Sequence, residues 1–204
     1  RFTGVPGWGD AGVVCAWVHY QNSKDKRLLG EHFESAKRWV DWIASKNPEH
    51  LWKNARHNDY GDWLNGNTLV RDGWDNTGGE VPKEVFATMM WYQSQVMVAQ
   101  MAEVLDIETE SQRARNTAKA IKDAFNTSYV RPDGEILGDT QAGYALALYL
   151  DILPEKVKKP ALDKLVAAID KRNGVLTTGF HSTLPMMKVL TQWGRNDLAY
   201  KLLL

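Results

Sequence analysis

The residues best suited to chemistry in this chain stand beside glycines. Trp8 and Asp10 lie in Gly7-Trp8-Gly9-Asp10, Asp62 and Trp63 in Tyr60-Gly61-Asp62-Trp63, and Glu80 follows Gly78-Gly79. Glycine opens backbone conformations closed to other residues, so such loops can aim a side chain. An indole face covers the apolar side of a pyranose ring, and a carboxylate accepts hydrogen bonds from vicinal hydroxyls. An indole beside a carboxylate is therefore the chemistry of a sugar site. Plainer roles stand next to that reading. Asp10 precedes an apolar helical pattern and suits an N-cap, where free N–H groups and the helix dipole stabilise its charge. Asp62 could cap a short helix, and Trp8, Trp63 and Trp74 could serve loop packing. His57 and His181 are loop histidines, suited to proton transfer by their ordinary pKa and equally to structural hydrogen bonding. A calcium loop needs oxygen ligands at alternate positions and a closing Glu. Residues 49–81 do not follow that pattern, so no metal or cofactor is expected.

The elements that must position these residues are helices. Residues 11–20 carry Val14, Trp17 and Val18 at helical spacing, with Cys15 on the same apolar face, and residues 31–45 carry Phe33, Ala36, Val40 and Ile43. Residues 22–30 between them read as a polar loop. Residues 49–81 are rich in Gly, Asn, Asp and Trp and lack periodicity, which in a compact domain points to a functional loop. Pro82 opens a long helix to about residue 105, with Phe86, Met89, Met90, Gln93, Val96, Met97 and Met101 as its stripe. Residues 109–125 form its partner. Residues 142–150 are small and apolar and must be well buried. After a charged loop at residues 154–159, a helix over 161–170 follows, then a glycine-bearing loop to Thr183, then helices over 185–193 and 196–204. Strand signals are nearly absent. The pattern predicts an all-α chain of about four antiparallel hairpins. The connections between hairpins carry Gly, Asp, Thr and Trp, and those within hairpins are short, as in a toroid with its site on one face.

Composition narrows the function. Twenty-five basic and 25 acidic residues cancel among 204, which disfavours nucleic acid and anionic membranes. Nine tryptophans exceed what a core of this size needs, and an aromatic surplus in loops fits a carbohydrate partner. Cys15 is the single cysteine, so no intrachain disulfide can form.

Five blocks occur here in one order: Gly7-Trp8-Gly9-Asp10-Ala11, Tyr60-Gly61-Asp62-Trp63-Leu64, Pro82-Lys83-Glu84-Val85-Phe86-Ala87-Thr88, Asp139-Thr140-Gln141-Ala142-Gly143-Tyr144-Ala145-Leu146-Ala147-Leu148, and Thr177-Thr178-Gly179-Phe180. In these blocks the whole chain resembles the bacterial α-L-rhamnosidases. The resemblance implies an incomplete (α/α)6 six-hairpin toroid. Residues 1–204 would be part of one catalytic domain, with the remaining hairpins and accessory β domains outside them. It implies hydrolysis of terminal α-L-rhamnosides with inversion, a rhamnose-containing oligosaccharide or glycoside as partner, and no cofactor. It assigns Asp10 a supporting place beside the catalytic acid, and Trp8, Asp62, Trp63 and His181 to the sugar pocket, with His57, Trp74 and Glu80 as weaker candidates. By the same resemblance the general acid lies just before Arg1 and the general base beyond Leu204. Two departures stand out. The family loop usually reads Gly-Trp-Thr-Gly-Asp-Ala, so Trp8 and Asp10 are one residue closer here, and a small residue is usual where this chain has His181. The alternatives are an inactive or sugar-binding module of the same fold, and a six-hairpin glycosidase acting on a uronic or unsaturated sugar. The last would need a cation for the substrate carboxylate, for which Arg56 and Arg71 are the loop candidates.

Overall fold

The computed structural model describes residues 4–65 and 79–203, and among these it contains eight helices and one isolated β-bridge. They pair in chain order: α1 (Ala11–Ser23) with α2 (Lys26–Lys46), α3 (Lys83–Val104) with α4 (Glu108–Tyr129), α5 (Gln141–Tyr149) with α6 (Glu155–Asp170), and α7 (Thr183–Gln192) with α8 (Asn196–Lys201). The first members also touch one another in succession, α1 on α3, α3 on α5 and α5 on α7. They form an inner layer, and their partners lie outside it.

Sequence decides which helix goes where. In α2 the buried residues are Leu29, Phe33, Ala36, Val40 and Ile43, and in α4 Ser111, Ala114, Ala118, Ile121, Phe125 and Tyr129. Those spacings make one apolar stripe and a polar back, the mark of an outer helix. By contrast α3 and α5 are buried on nearly every side, α5 from Gln141 to Leu148. A helix apolar all round must be covered all round. The expected α3 stripe is thereby corrected in part, because Gln93, Val96 and Met97 are only half-buried, whereas Trp91, Ser94, Gln95 and Val98 are buried.

Three further expectations are corrected. Residues 22–30 are not a loop. Lys24 ends α1 in the left-handed conformation and Asp25 accepts from the Leu28 amide to start α2, so two residues make the turn. Residues 155–159 are helical rather than loop, with Pro154 at the N-cap, and Pro160 inside α6 forgoes one intrahelical bond without ending it. Cys15 is exposed, because α1 buries Val13 and Ala16 instead of the face bearing Val14 and Val18.

The connections sort by end. Residues 24–25, 105–107, 150–154 and 193–195 join helices within pairs. Residues 4–10, 47–82, 130–140 and 171–182 all lead into N-termini of inner helices. The long loops therefore gather at one end of the inner layer.

Candidate functional site at the loop face

Asp62 holds two of these loops together. Its carboxylate is fully buried and accepts from the backbone N–H groups of Gly179 (2.7 Å), His181 (2.9 Å) and Ser182 (3.2 Å), and from the Ser182 hydroxyl. Four donors fill the lone pairs that a carboxylate offers. The Phe180 amide also donates to the Trp63 carbonyl (2.7 Å). The approach is so close that a Cβ on Gly179 would lie 2.0 Å from the Asp62 carbonyl oxygen. Asn65 donates to the Thr177 carbonyl, and Gln141 accepts from the Thr177 amide (3.0 Å) while donating to the Val175 carbonyl (3.0 Å). The 177–182 loop is thus fixed from the 62–65 segment on one side and from α5 on the other.

This bracing assembles aromatic rings from three loops. Trp8 lies 4.7 Å from His181, 5.3 Å from Tyr60, 5.8 Å from Trp63 and 6.3 Å from Phe180 between ring centroids. Tyr60 and Trp63 are themselves 5.7 Å apart. Trp8 and Trp63 are half-buried, and Phe180 is 70% exposed. His181 packs on Phe86 of α3 (5.3 Å), and its Nε2 is buried without a hydrogen-bond partner. Burial holds the His181 pKa below the ordinary value, against the opposing pull of the Asp62 charge. Gly7 has φ +83°, and a Cβ there would come 2.8 Å from the His181 ring, so this corner also needs glycine.

Asp10 lies just inside. It starts α1 through its backbone carbonyl, which accepts from Val13 and Val14, but its side chain makes no cap bond. The carboxylate instead turns back to accept from the Gly7 amide (2.8 Å), the Trp39 indole N–H (2.8 Å) and the Ser94 hydroxyl (2.6 Å). The expected lowering of its pKa by the helix N-terminus is reversed. Asp10 is 2% exposed, and desolvation raises its pKa despite three donors. Asp10, Gly7 and His181 line a cleft of about 230 Å³ together with Met90 and Gln93 of α3 and Pro185 of α7.

The weaker candidates have other partners where they are described. Glu80 pairs with Arg172 (2.6 Å), joining the segment before α3 to the one after α6. His57 is exposed, at φ +44°, against the strand of chain at Gly4. Trp74 and Arg71 lie outside the described residues. Arg56 pairs with Asp59 (2.9 Å). Among the described residues, no group of three or more His, Cys, Asp or Glu is placed to hold a metal ion. Sequence reading missed Tyr60, Asn65, Gln141 and Ser182 as parts of this assembly. Tyr60 and Gln141 stood in the sequence blocks without a role of their own, and the partners of Asn65, Gln141 and Ser182 are distant in sequence.

Four helical hairpins in two layers, with their long loops and aromatic cluster at one end, define the class as part of an α/α-toroid domain of glycosidase type. Residues 1–204 match the family described as the bacterial alpha-L-rhamnosidase 6 hairpin glycosidase domain, and the chain belongs to that family. An alpha-L-rhamnosidase of Streptomyces avermitilis is 36% identical over 200 residues, covering 98% of this chain and 18% of that protein. The crystal structure of the S. avermitilis alpha-L-rhamnosidase complexed with L-rhamnose superposes with a TM-score of 0.84 at 34% identity, covering 97% of this chain and 18% of that one. The native enzyme from Aspergillus terreus superposes with a TM-score of 0.86 at 27% identity, covering 95% and 22%. The chain spans about a fifth of the length of the curated relatives it matches (18–21%).

Proposed function

We propose that this chain is part of the catalytic domain of an enzyme that hydrolyses terminal α-L-rhamnosides with inversion, its substrate a rhamnose-containing oligosaccharide or glycoside. The observation that carries the reading is the convergence of Trp8, Trp63 and His181, from three separate loops, at one end of a rhamnosidase-family fold. Rhamnose carries a methyl group, its C6, on ring carbon C5, so one edge of the ring is apolar and suits an indole wall. In this reading Trp8 and Trp63 cover that edge, and His181 lines the adjoining cleft with its ring against Trp8. Asp62 holds the loop that carries His181. Asp10 acts in support: by holding the Gly7 amide it fixes the loop on which Trp8 stands.

Inversion needs a carboxylic acid at the leaving oxygen and a carboxylate base that activates water, about 6.5–9.5 Å apart. The resemblance assigns both to glutamates outside residues 1–204. The remaining hairpins of the toroid and accessory β domains would then belong to the same longer polypeptide. The test is proton NMR of an aryl α-L-rhamnoside during hydrolysis by the full-length protein. Inversion releases the β anomer first; release of the α anomer, or no hydrolysis, overturns the proposal. Trp63→Ala is expected to raise KM about tenfold through loss of ring contact, and an unchanged KM would remove Trp63 from the sugar wall.

A further inference from the structure

Of the four rings around Trp8, His181 is the closest, at 4.7 Å and 74° between planes. Among the described ring contacts it alone joins that cluster to a helix, through Phe86 of α3. Phe86 is fully buried, so His181 stands between a fixed part of the core and the loop that carries Trp8. It also meets the backbone of that loop, since a Cβ on Gly7 would lie 2.8 Å from both Cε1 and Nε2 of the ring. Phe180 closes a further side at 5.6 Å. The socket offers Nε2 no hydrogen-bond partner, and the Gly7 amide is committed to Asp10. Nδ1 is not enclosed in this way, and the residue borders the cleft. The neutral ring therefore keeps its proton on Nδ1 and leaves Nε2 bare, which strands no N–H group.

A second proton would put an N–H on Nε2 with no acceptor in the socket, and a buried donor without a partner is costly. Leaving the socket relieves that cost and takes the ring away from Trp8. The charge that faces the ring is that of Asp62, whose oxygens are filled by four donors, the His181 amide among them. Asp10 lies beyond Gly7 with its own three donors, while α3 brings Phe86 and α7 Pro185 to this corner. Burial outweighs the Asp62 charge and favours the neutral ring.

We infer that His181 is the positioning residue for Trp8: its neutral ring, wedged between Phe86 and the Gly7–Trp8 backbone, holds the indole at the sugar wall, and protonation withdraws the wedge. The consequence for substrate rests on the proposed function, whereas the wedge itself does not.

The test uses the full-length protein labelled with 5-fluorotryptophan, in which the Trp8 fluorine signal is the one lost in Trp8→Phe. That signal is expected to shift in one step as pH falls below the ordinary histidine value of 6.5, and the step is expected to vanish in His181→Gln and in His181→Phe. A Trp8 signal that does not move, or a step that survives in either variant, overturns the inference. Kinetics on an aryl α-L-rhamnoside give the second reading. His181→Ala is expected to raise KM about tenfold with kcat within about twofold. His181→Phe restores a ring and is expected to recover most of that loss. An unchanged KM in His181→Ala, or an equal KM in the two variants, also overturns the inference. If the full-length protein hydrolyses no rhamnoside while the fluorine step is present and depends on His181, the proposed function has failed and the wedge stands.

Discussion

Replacing Asp62 by Ala tests the central bracing contact. The substitution strips an acceptor from three buried backbone N–H groups and one buried hydroxyl, all on residues 117 to 120 positions away. Hydrogen bonds to a charged group are worth more than neutral ones, and a buried donor left alone forfeits its desolvation energy. Part of that loss is recovered as water enters the small cavity. At about 1 kcal/mol for each donor after this relief, the variant should lose about 4 kcal/mol. For a domain of roughly this size that lowers the melting temperature by about 10 °C. Asp62→Asn keeps one acceptor oxygen but points an NH₂ group at a donor, so an intermediate loss is expected. Thermal melts of the full-length protein measure the size of the effect. Hydrogen exchange of the peptide spanning residues 177–183 measures its place, since the amides of Gly179, His181 and Ser182 should lose protection selectively. A melt within about 1 kcal/mol of wild type, with those amides still protected and KM for a rhamnoside raised, would refute the bracing argument. It would make Asp62 a group that faces the sugar.

Two other predictions concern the same loop face. The Asp10 pKa is raised by burial, so the folded state holds a proton that the unfolded state has released. The stabilisation is present below the ordinary value of 3.8 and is lost as pH rises through the folded pKa. Asp10→Asn should therefore flatten the decline of stability seen in denaturant melts from about pH 4 upward, and an unchanged slope would count against the burial argument. Gly179→Ala should cost several kcal/mol, because its Cβ would meet the Asp62 carbonyl at 2.0 Å, whereas Gly12→Ala, which meets nothing within 4 Å, should be neutral or gain up to about 1 kcal/mol in helix α1. Equal melting of these two variants would show that the loops do not approach so closely.

The helices were legible in the sequence because they depend on near neighbours. The spacing of Phe33, Ala36, Val40 and Ile43 gives α2 one buried face whatever lies opposite. The run from Ala142 to Leu148 has no polar side to turn outward, so α5 had to be well buried. Glycines within two residues of Trp8, Asp62 and His181 marked their segments as loops, and the alternation of long and short connections put those loops at a common end. What the sequence could not carry was the role of each polar side chain, because that depends on partners far along the chain. Asp10 looked like a helix cap with a lowered pKa. Trp39 and Ser94, 29 and 84 positions away, turned it into a buried hub whose pKa is raised. Glu80 looked free until Arg172 met it from 92 positions on. Cys15 and Val14 looked buried because periodicity identifies an apolar face without saying which neighbour will cover it. Local spacing follows from the geometry of one helix. Hydrogen-bond partnership, desolvation and the meeting of three loops at Trp8 follow only from how the hairpins pack, so the tertiary structure alone decided them.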